Sequence, residues 1–343
     1  MKRKITFAVL TLLVFAILLV LLNRDRLLDM AIRERLQRKP DMSFVADDGH
    51  IRVLLCGTGT PEVSTARAQA CTLVAAGGKM FLFDVGDGAV RSLEKSNVPI
   101  TSLERVFITH FHSDHFNDLA TLINASWIWG RETPLEVEGP VGMQAVLSGF
   151  AQSYALDEGY RSTNMPHLAA RRDVAFGKAL EIAFPEGKRS TRVYDKDGIT
   201  IDAVLVAHEP VKPALGYVLR YRGKKIFISG DTEVSPANIA AMRGTDLAIH
   251  EAYATHVVRR AIPQMKKLGM TADAEVAERT IPYHADNIAL ARQAEAAGVK
   301  RLVLTHLTPY PGNFVTRRLF VQGMSDIYKG ELSVGQDGMI IIL

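Results

Sequence analysis

The residues best suited to chemistry form one short loop motif, and its members are His110, His112, Asp114 and His115. An apolar run, residues 105–108, precedes the loop, and a segment with helical spacing, residues 117–129, follows it. Imidazole nitrogens and carboxylate oxygens are the ligands that zinc and similar divalent metals use. Because residues i and i+2 of an extended segment point the same way, the spacing predicts two neighbouring metal positions. The alternative is a polar loop with ordinary surface histidines, and the strand–loop–helix context argues against it.

Polar residues also follow apolar, strand-like runs in the second half of the chain. These residues are His208, Asp231, the pair His250-Glu251, and His306. Each of them alone is more often an ordinary residue at a strand end. Together they describe a set of strands that deliver ligands from their carboxyl ends, where a rigid scaffold places side chains accurately. The pattern predicts an α/β layered body.

The first half contains three further strand-like runs, residues 51–56, 71–75 and 80–84. Cys56 and Cys71 lie in the first two runs, and two cysteines are too few for a disulfide framework, so buried free thiols are expected. Residues 131–198 carry no chemical motif and are expected to form the wall of a substrate pocket. The lone His167 in that segment is interpreted as a surface residue, although it competes with His208 as a ligand.

Taken in order, these motifs resemble the metallo-β-lactamase superfamily. The Gly-Thr-Gly turn at residues 57–59, the Asp84-x-Gly86-x-Gly88 segment and the His250-Glu251-Ala252 segment are similar to ribonuclease Z and its arylsulfatase-like relatives. The resemblance implies an αββα sandwich: two packed β-sheets with helices outside and the metals along one edge.

The resemblance also implies the ligands, and two Zn²⁺ ions are expected, with Mn²⁺ or Fe as alternatives. One ion would be held by His110, His112 and His208, the other by Asp114, His115 and His306, with Asp231 bridging both. In this scheme a metal-bound hydroxide attacks the substrate. Asp114 would orient or deprotonate the water, and His250, held by Glu251, would protonate the leaving group. The alternative for His250 is a strand-end histidine satisfied by Glu251.

Asp84 is interpreted as support for a ligating histidine. His256 and His284 are interpreted as surface or supporting residues.

The sequence is consistent with three hypotheses about the function. The first is a small phosphodiester, such as a short nucleotide ester, or a sulfate ester. The second is a β-lactam or lactone. The third is a non-catalytic metal-binding membrane protein or an iron oxidoreductase on the same fold. Transfer RNA is disfavoured because only 22 residues separate His208 from Asp231, fewer than in bacterial ribonuclease Z. A homodimer is left open.

The amino end differs in composition from the rest of the chain. Lys2-Arg3-Lys4 precede the apolar run 5–22, which predicts a transmembrane signal anchor at residues 1–22, with a cleaved signal peptide as the alternative. Residues 23–47 are expected to form a charged stalk before a hydrolase domain at 48–343. The basic terminus favours an extracytoplasmic, periplasmic domain, although basic residues in the stalk favour the opposite orientation.

Charge is unevenly distributed along the chain. Residues 1–47 hold nine Lys and Arg against five Asp and Glu, a net charge of +4, whereas the remainder holds 32 of each. The predicted hydrolase domain therefore has no overall basic field for nucleic acid.

Overall fold

The computed structural model describes residues 2–37, 42–62 and 64–343, with side chains described in these ranges except at residues 2–9 and 35. The chain divides into two units, Met1–Asp41 and Met42–Leu343. The first unit contains helices α1 (Lys2–Leu22) and α2 (Arg24–Gln37). Met1 of the predicted anchor and residues 38–41 of the predicted stalk lie outside the described residues.

The apolar run at the amino end does not form the predicted membrane anchor. In the part of the chain that the structure describes, no helix has both the length and the apolar character that a membrane crossing requires. The predicted transmembrane helix is therefore wrong, and so is the membrane-anchored localisation that rested on it.

The strands described in the second unit belong to two seven-stranded sheets. In chain order they are β1 (Arg52–Gly57), β2 (Cys71–Ala76), β3 (Lys79–Phe83), β4 (Leu103–Phe107), β5 (Glu136–Pro140), β6 (Lys178–Ile182), β7 (Ser190–Lys196), β8 (Ile199–His208), β9 (Val211–Tyr221), β10 (Lys224–Ile228), β11 (Leu247–Tyr253), β12 (Arg301–Thr308), β13 (Glu331–Val334) and β14 (Met339–Ile342). The first sheet has the order β14-β1-β2-β3-β4-β5-β6, and the second has the order β13-β12-β11-β10-β9-β8-β7.

The helices described in this unit connect or flank those strands. They are α3 (Ala89–Lys95), α4 (Leu119–Ile128), α5 (Met143–Asn164), α6 (Pro166–Ala169), α7 (Pro236–Met242), α8 (Thr255–Lys267), α9 (Thr271–Thr280), α10 (Asn287–Ala297), α11 (Phe314–Phe320) and α12 (Met324–Ile327). Short 3-10 turns lie at Met42–Val45, Ile100–Ser102, Ser113–His115, Arg172–Val174 and Ile281–Tyr283.

Three apolar cores hold these layers together. The central core packs side chains of the first sheet, such as Phe81 and Phe107, against side chains of the second, such as Tyr217 and Ile249. The outer face of the first sheet packs against α3, α4 and α5. The outer face of the second packs against α7, α10, α11 and α12. Since burial of apolar surface is the main favourable term in folding, this layering confirms the predicted αββα sandwich.

Strand direction decides where the polar residues collect. β3 to β6 are parallel in the first sheet, and β10 to β13 are parallel in the second. β8 is antiparallel to β9, which is antiparallel to β10, so β8 runs in the same direction as β10. The carboxyl ends of β8, β10, β11 and β12 therefore lie at the same edge of the second sheet.

The two cysteines form a disulfide, which corrects the expectation of free thiols. Antiparallel strands β1 and β2 pair with a register shift between Leu55 and Gly57. The shift brings Cys56 beside Cys71, with 5.0 Å between their Cα atoms, a separation that a disulfide spans without backbone movement. The apolar character of the two runs was visible in the sequence, but the bulge that sets their register was not.

Candidate metal centre

The histidine loop, residues 109–115, follows β4 and is held in place by the segment that follows β3. Asp84 follows β3 with a left-handed backbone (φ 59°) and accepts hydrogen bonds from the Thr109 backbone N–H (2.8 Å) and hydroxyl (2.9 Å). Gly86 lies so close to the loop that a Cβ atom there would lie 2.1 Å from the carbonyl oxygen of Asp114. The Asp84-x-Gly86 motif therefore positions the histidine loop, through hydrogen bonds to Asp84 and close packing at Gly86.

The first donor set contains three imidazoles and one carboxylate. His110, His112, His208 and Asp231 each place one donor atom within 4.8 Å of all the others. His112 Nδ1 lies 2.9 Å from His110 Nε2 and 3.3 Å from His208 Nε2. The structure therefore brings His208 into this set and leaves His167 exposed on α6.

The second donor set lies beside the first and is buried. Asp114, His115 and His306 also place one donor atom each within 4.8 Å of one another. Asp114 Oδ2 lies 3.1 Å from His306 Nε2 and 3.6 Å from His115 Nε2. The residues that the sequence predicts for the second metal are thus together.

Asp231 is the residue that joins the two sets. Its Oδ2 atom lies 3.8 Å from His208 Nε2 and 3.9 Å from His110 Nε2 in the first set. The same atom lies 3.4 Å from both His115 Nε2 and His306 Nε2 in the second.

Gly230 sets this position, because its backbone is left-handed (φ 58°) and a Cβ atom would lie 2.5 Å from the Leu215 carbonyl oxygen. Neither the left-handed turn nor the close approach suits a residue with a side chain.

The donor atoms themselves fit a divalent cation. His115 Nε2 and Asp231 Oδ1 are buried and have no hydrogen-bond partner within the described residues. Leaving such atoms unsatisfied is costly, and buried polar atoms in native structures are otherwise paired. Burial and the neighbouring His115 hold the pKa of His110 well below its usual value, so that ring is neutral and keeps a lone pair for a metal. Imidazole and carboxylate donors of this kind suit zinc and similar divalent ions.

The ligands have their own supporting contacts. Asp84 Oδ2 lies 2.8 Å from His115 Nδ1, which places a carboxylate behind that ring. The Tyr283 carbonyl accepts a hydrogen bond from His208 Nδ1 at 3.0 Å. Such contacts orient a ligating imidazole and fix which nitrogen faces the metal. The support predicted for Asp84 is therefore visible in its contacts.

Glu251 is paired with His284, which the sequence reading had left among surface or supporting residues. Glu251 Oε1 lies 2.9 Å from His284 Nδ1 and accepts the Thr232 backbone N–H at 2.7 Å. Burial lowers the pKa of His284, but the adjacent Glu251 carboxylate outweighs burial and raises it to about 9. One donor atom of His284 also lies within 4.8 Å of those of Asp231 and His306, so this ring borders the metal centre.

His250 occupies a different environment from His284. It is fully buried on β11, and its Nδ1 atom lies 2.8 Å from the backbone oxygen of Glu251. Its Nε2 atom has no hydrogen-bond partner among the described residues. The catalytic role of His250 stays a prediction. The sequence did not indicate a place for His284 at the metal centre, because this residue follows a 3-10 turn, Ile281–Tyr283, and not a strand.

A cleft of about 440 Å³ opens beside this border residue. His284 lies in its wall, together with Glu233, Thr255 and Arg259. The cleft therefore lies against the His284 ring.

Comparison with known proteins agrees with this arrangement. A family model described as a β-lactamase superfamily domain matches residues 80–307. The ribonuclease Z of Mycobacterium sp. (strain KMS) is 31% identical over 261 residues, which cover 76% of this chain and 85% of that protein.

Two solved structures share the fold. The short form of human tRNase Z has a TM-score of 0.60 and 22% identity, covering 84% of this chain and 98% of its own. A metallo-β-lactamase fold protein from Bacillus subtilis also has a TM-score of 0.60, with 18% identity, covering 86% of this chain and all of its own. With the donor sets at the strand ends and these matches, the chain belongs to the metallo-β-lactamase superfamily, in its ribonuclease Z-like group, and is a metal-dependent hydrolase.

Proposed function

We propose that the chain is a dinuclear zinc phosphodiesterase that hydrolyses small esters, such as short nucleotide esters, and not transfer RNA. The observation that carries the proposal is the shared Oδ2 atom of Asp231, which lies 3.4–3.9 Å from four imidazole nitrogens in two adjacent donor sets. A single oxygen in that position suits a bridging ligand between two ions. Zinc is favoured because the first set offers three imidazole nitrogens and one carboxylate.

When bound, a pair of divalent ions supplies Lewis acidity, which makes water a nucleophile at neutral pH and neutralises charge on the ester. The chain supplies the remaining groups. Asp114, which is 1% exposed, orients the attacking water as well as binding metal. Its buried carboxylate is held by His306 at 3.1 Å, so its direction is fixed before the substrate arrives. Such preorganisation is what a displacement at phosphorus needs.

Protonation of the leaving group is assigned to the Glu251–His284 pair. A general acid must lie within hydrogen-bond reach of the leaving oxygen and must hold a proton at the working pH. His284 meets the second requirement because Glu251 raises its pKa to about 9 against the effect of burial. It meets the first by bordering both the metal centre and the open cleft. His250 stays the alternative acid, and its Nδ1 atom lies 2.8 Å from the backbone oxygen of Glu251.

The small size proposed for the substrate rests on the segment between His208 and Asp231. Strands β9 (Val211–Tyr221) and β10 (Lys224–Ile228) occupy 16 of the 22 residues between these ligands. The turns at residues 209–210 and 222–223 are too short to carry an arm for a folded RNA. Residues 131–198, which are predicted to form the wall of the substrate pocket, contain helix α5. Their part in substrate binding stays a prediction.

The test is metal content together with substrate profiling on the purified chain. Elemental analysis is expected to find two zinc ions per chain, and bis(p-nitrophenyl) phosphate is expected to turn over, with loss of turnover on chelation. p-Nitrophenyl sulfate, a chromogenic cephalosporin and a lactone serve as competitors for the other readings. Faster turnover of any of these three would overturn the phosphodiesterase assignment. Iron in place of zinc would overturn the metal assignment.

A further inference from the structure

The outer face of the second sheet carries a cavity that is separate from the metal centre. It encloses about 240 Å³ between the middle of strands β8 and β9 and helix α7. Val204 and Val218 form a buried apolar floor. The wall from α7 consists of alanines, at positions 237, 240 and 241, whose small side chains leave the space open. The metal ligands of this sheet lie at the strand ends, outside this cavity.

The cavity is lined by more positive than negative charge. Arg189, Arg220 and Lys225 line it, and Asp202 is the carboxylate among them. Asp202 is already shared, because it accepts hydrogen bonds from Arg220 and also from Arg192. The Asp202 carboxylate therefore already neutralises part of the charge of two guanidinium groups, and Arg189 and Lys225 add two further positive charges.

The remaining two cations bond only to backbone oxygens. Arg189 donates to the carbonyl of Leu205 at 3.2 Å, and Lys225 Nζ donates to the carbonyl of Arg243 at 2.8 Å. Asp202, the carboxylate in the lining, forms its ion pairs with Arg192 and Arg220 instead. Burial, and next the nearby Arg220, lower the pKa of Lys225. The nearby Asp202 carboxylate acts in the opposite direction, but burial and Arg220 outweigh it.

We propose that this cavity binds an organic phosphomonoester, with its phosphate among Arg189, Arg220 and Lys225 and its apolar body against Val204 and Val218. A phosphomonoester carries about −1.5 to −2 charges at neutral pH, which balances the excess cations. Arginine is suited to this ligand because its guanidinium fork binds phosphate oxygens in pairs. The mixed lining, cationic at the rim and apolar at the floor, matches a small ligand with one charged end.

The experiment titrates the metal-loaded full chain with phenyl phosphate and follows the heat of binding. The metal centre can also bind this probe, so the cavity is isolated by variants. The double variant Arg189→Gln/Lys225→Gln removes two cations, and Ala240→Leu fills the space while leaving the charges intact. Each is expected to weaken the cavity's share of binding at least about tenfold. Lys224→Gln is the matched control, because Lys224 lies beside these residues but does not line the cavity.

The outcomes separate this proposal from the proposed function. All variants should hydrolyse bis(p-nitrophenyl) phosphate like the parent, since none of them alters a metal ligand. Methyl phenyl phosphate, which carries one charge fewer, should bind the cavity more weakly than phenyl phosphate. The proposal is overturned if both cavity variants bind as the parent does, if Lys224→Gln weakens binding equally, or if the diester binds as tightly as the monoester.

Discussion

Oε1 of Glu251 lies 2.9 Å from Nδ1 of His284, and the two side chains are 1% and 11% exposed. The carboxylate thus occupies one imidazole nitrogen and leaves Nε2 as the nitrogen available for proton transfer. Because the same Oε1 atom accepts the Thr232 backbone N–H, the pair is tied to the loop that carries Asp231. The proposed proton donor, His284, and the proposed bridging ligand, Asp231, are therefore connected through Glu251 and Thr232.

Replacing His284 by Ala should slow hydrolysis in a way that depends on the leaving group. A general acid contributes about 10²- to 10⁴-fold, and this contribution matters most when the leaving group is a poor one. We therefore expect a loss of this size for a dinucleoside phosphate, whose leaving group is an alcohol, and a small loss for bis(p-nitrophenyl) phosphate. Steady-state kcat on both substrates checks the prediction. An equal loss on both would indicate a structural role.

His250→Ala is the companion measurement. If His250 is the acid, this variant keeps its metals and shows the leaving-group dependence expected above for His284→Ala. Because His284 borders the donor sets, we expect the metal content to be unchanged in this variant too, but without a selective loss on the alcohol leaving group. A selective loss in His250→Ala alone would transfer the acid role to that residue.

Replacing Asp231 by Ala should lower the metal content to one ion or less, because both donor sets lose the oxygen they share. Elemental analysis after dialysis measures this directly. Asp173→Ala, an exposed aspartate far along the chain from the ligands, should keep the parent content. Two tightly held ions in Asp231→Ala would refute the bridging role.

Asp84→Asn should weaken metal binding while leaving every ligand in place. The change removes the carboxylate that lies 2.8 Å from His115 Nδ1, and loss of such a partner costs about 10- to 100-fold in metal affinity. Competition with a chromogenic chelator gives the affinity. The matched control is Asp87→Asn, because Asp87 is the next residue after Gly86 and its side chain is exposed. Equal affinity in the two variants would contradict the supporting role of Asp84.

The Cys56→Ala/Cys71→Ala double variant should be less stable than the parent. The disulfide closes a loop with a sequence separation of 15, and a cross-link of that size is worth about 3 kcal/mol in the chain-entropy description. Urea unfolding of the metal-loaded proteins measures the difference in free energy of unfolding. A reducing agent should destabilise the parent and leave the variant unchanged.

The sequence predicts the second sheet and its ligands well because each signal is local. A strand-like run followed by His208, Asp231 or His306 indicates both a strand and the polar residue near its carboxyl end. Helix α10 is equally local: Asp286 caps it by accepting the Ala289 N–H, and Gly298 ends it in a left-handed turn.

Features that depend on distant partners could not be predicted in this way. The disulfide requires the register shift between β1 and β2, and the Glu251–His284 pair joins residues 33 positions apart through tertiary packing. The membrane anchor was predicted from the basic residues 2–4 and the apolar run 5–22, and no helix in the described part of the chain meets the requirements for a membrane crossing.

The donor sets draw on both layers of the sandwich. The loop bearing His110 and His115 leaves β4 of the first sheet, whereas His208, Asp231 and His306 come from the second. His110 and His208 would therefore hold a bound ion between the two sheets, and metal binding would then be linked to folding. A ligand at 100 times its Kd adds about 2.7 kcal/mol to stability. The thermal unfolding midpoint should accordingly rise with free zinc, and rise less in Asp231→Ala. The supply of metal would then govern the lifetime of the folded chain as well as its turnover.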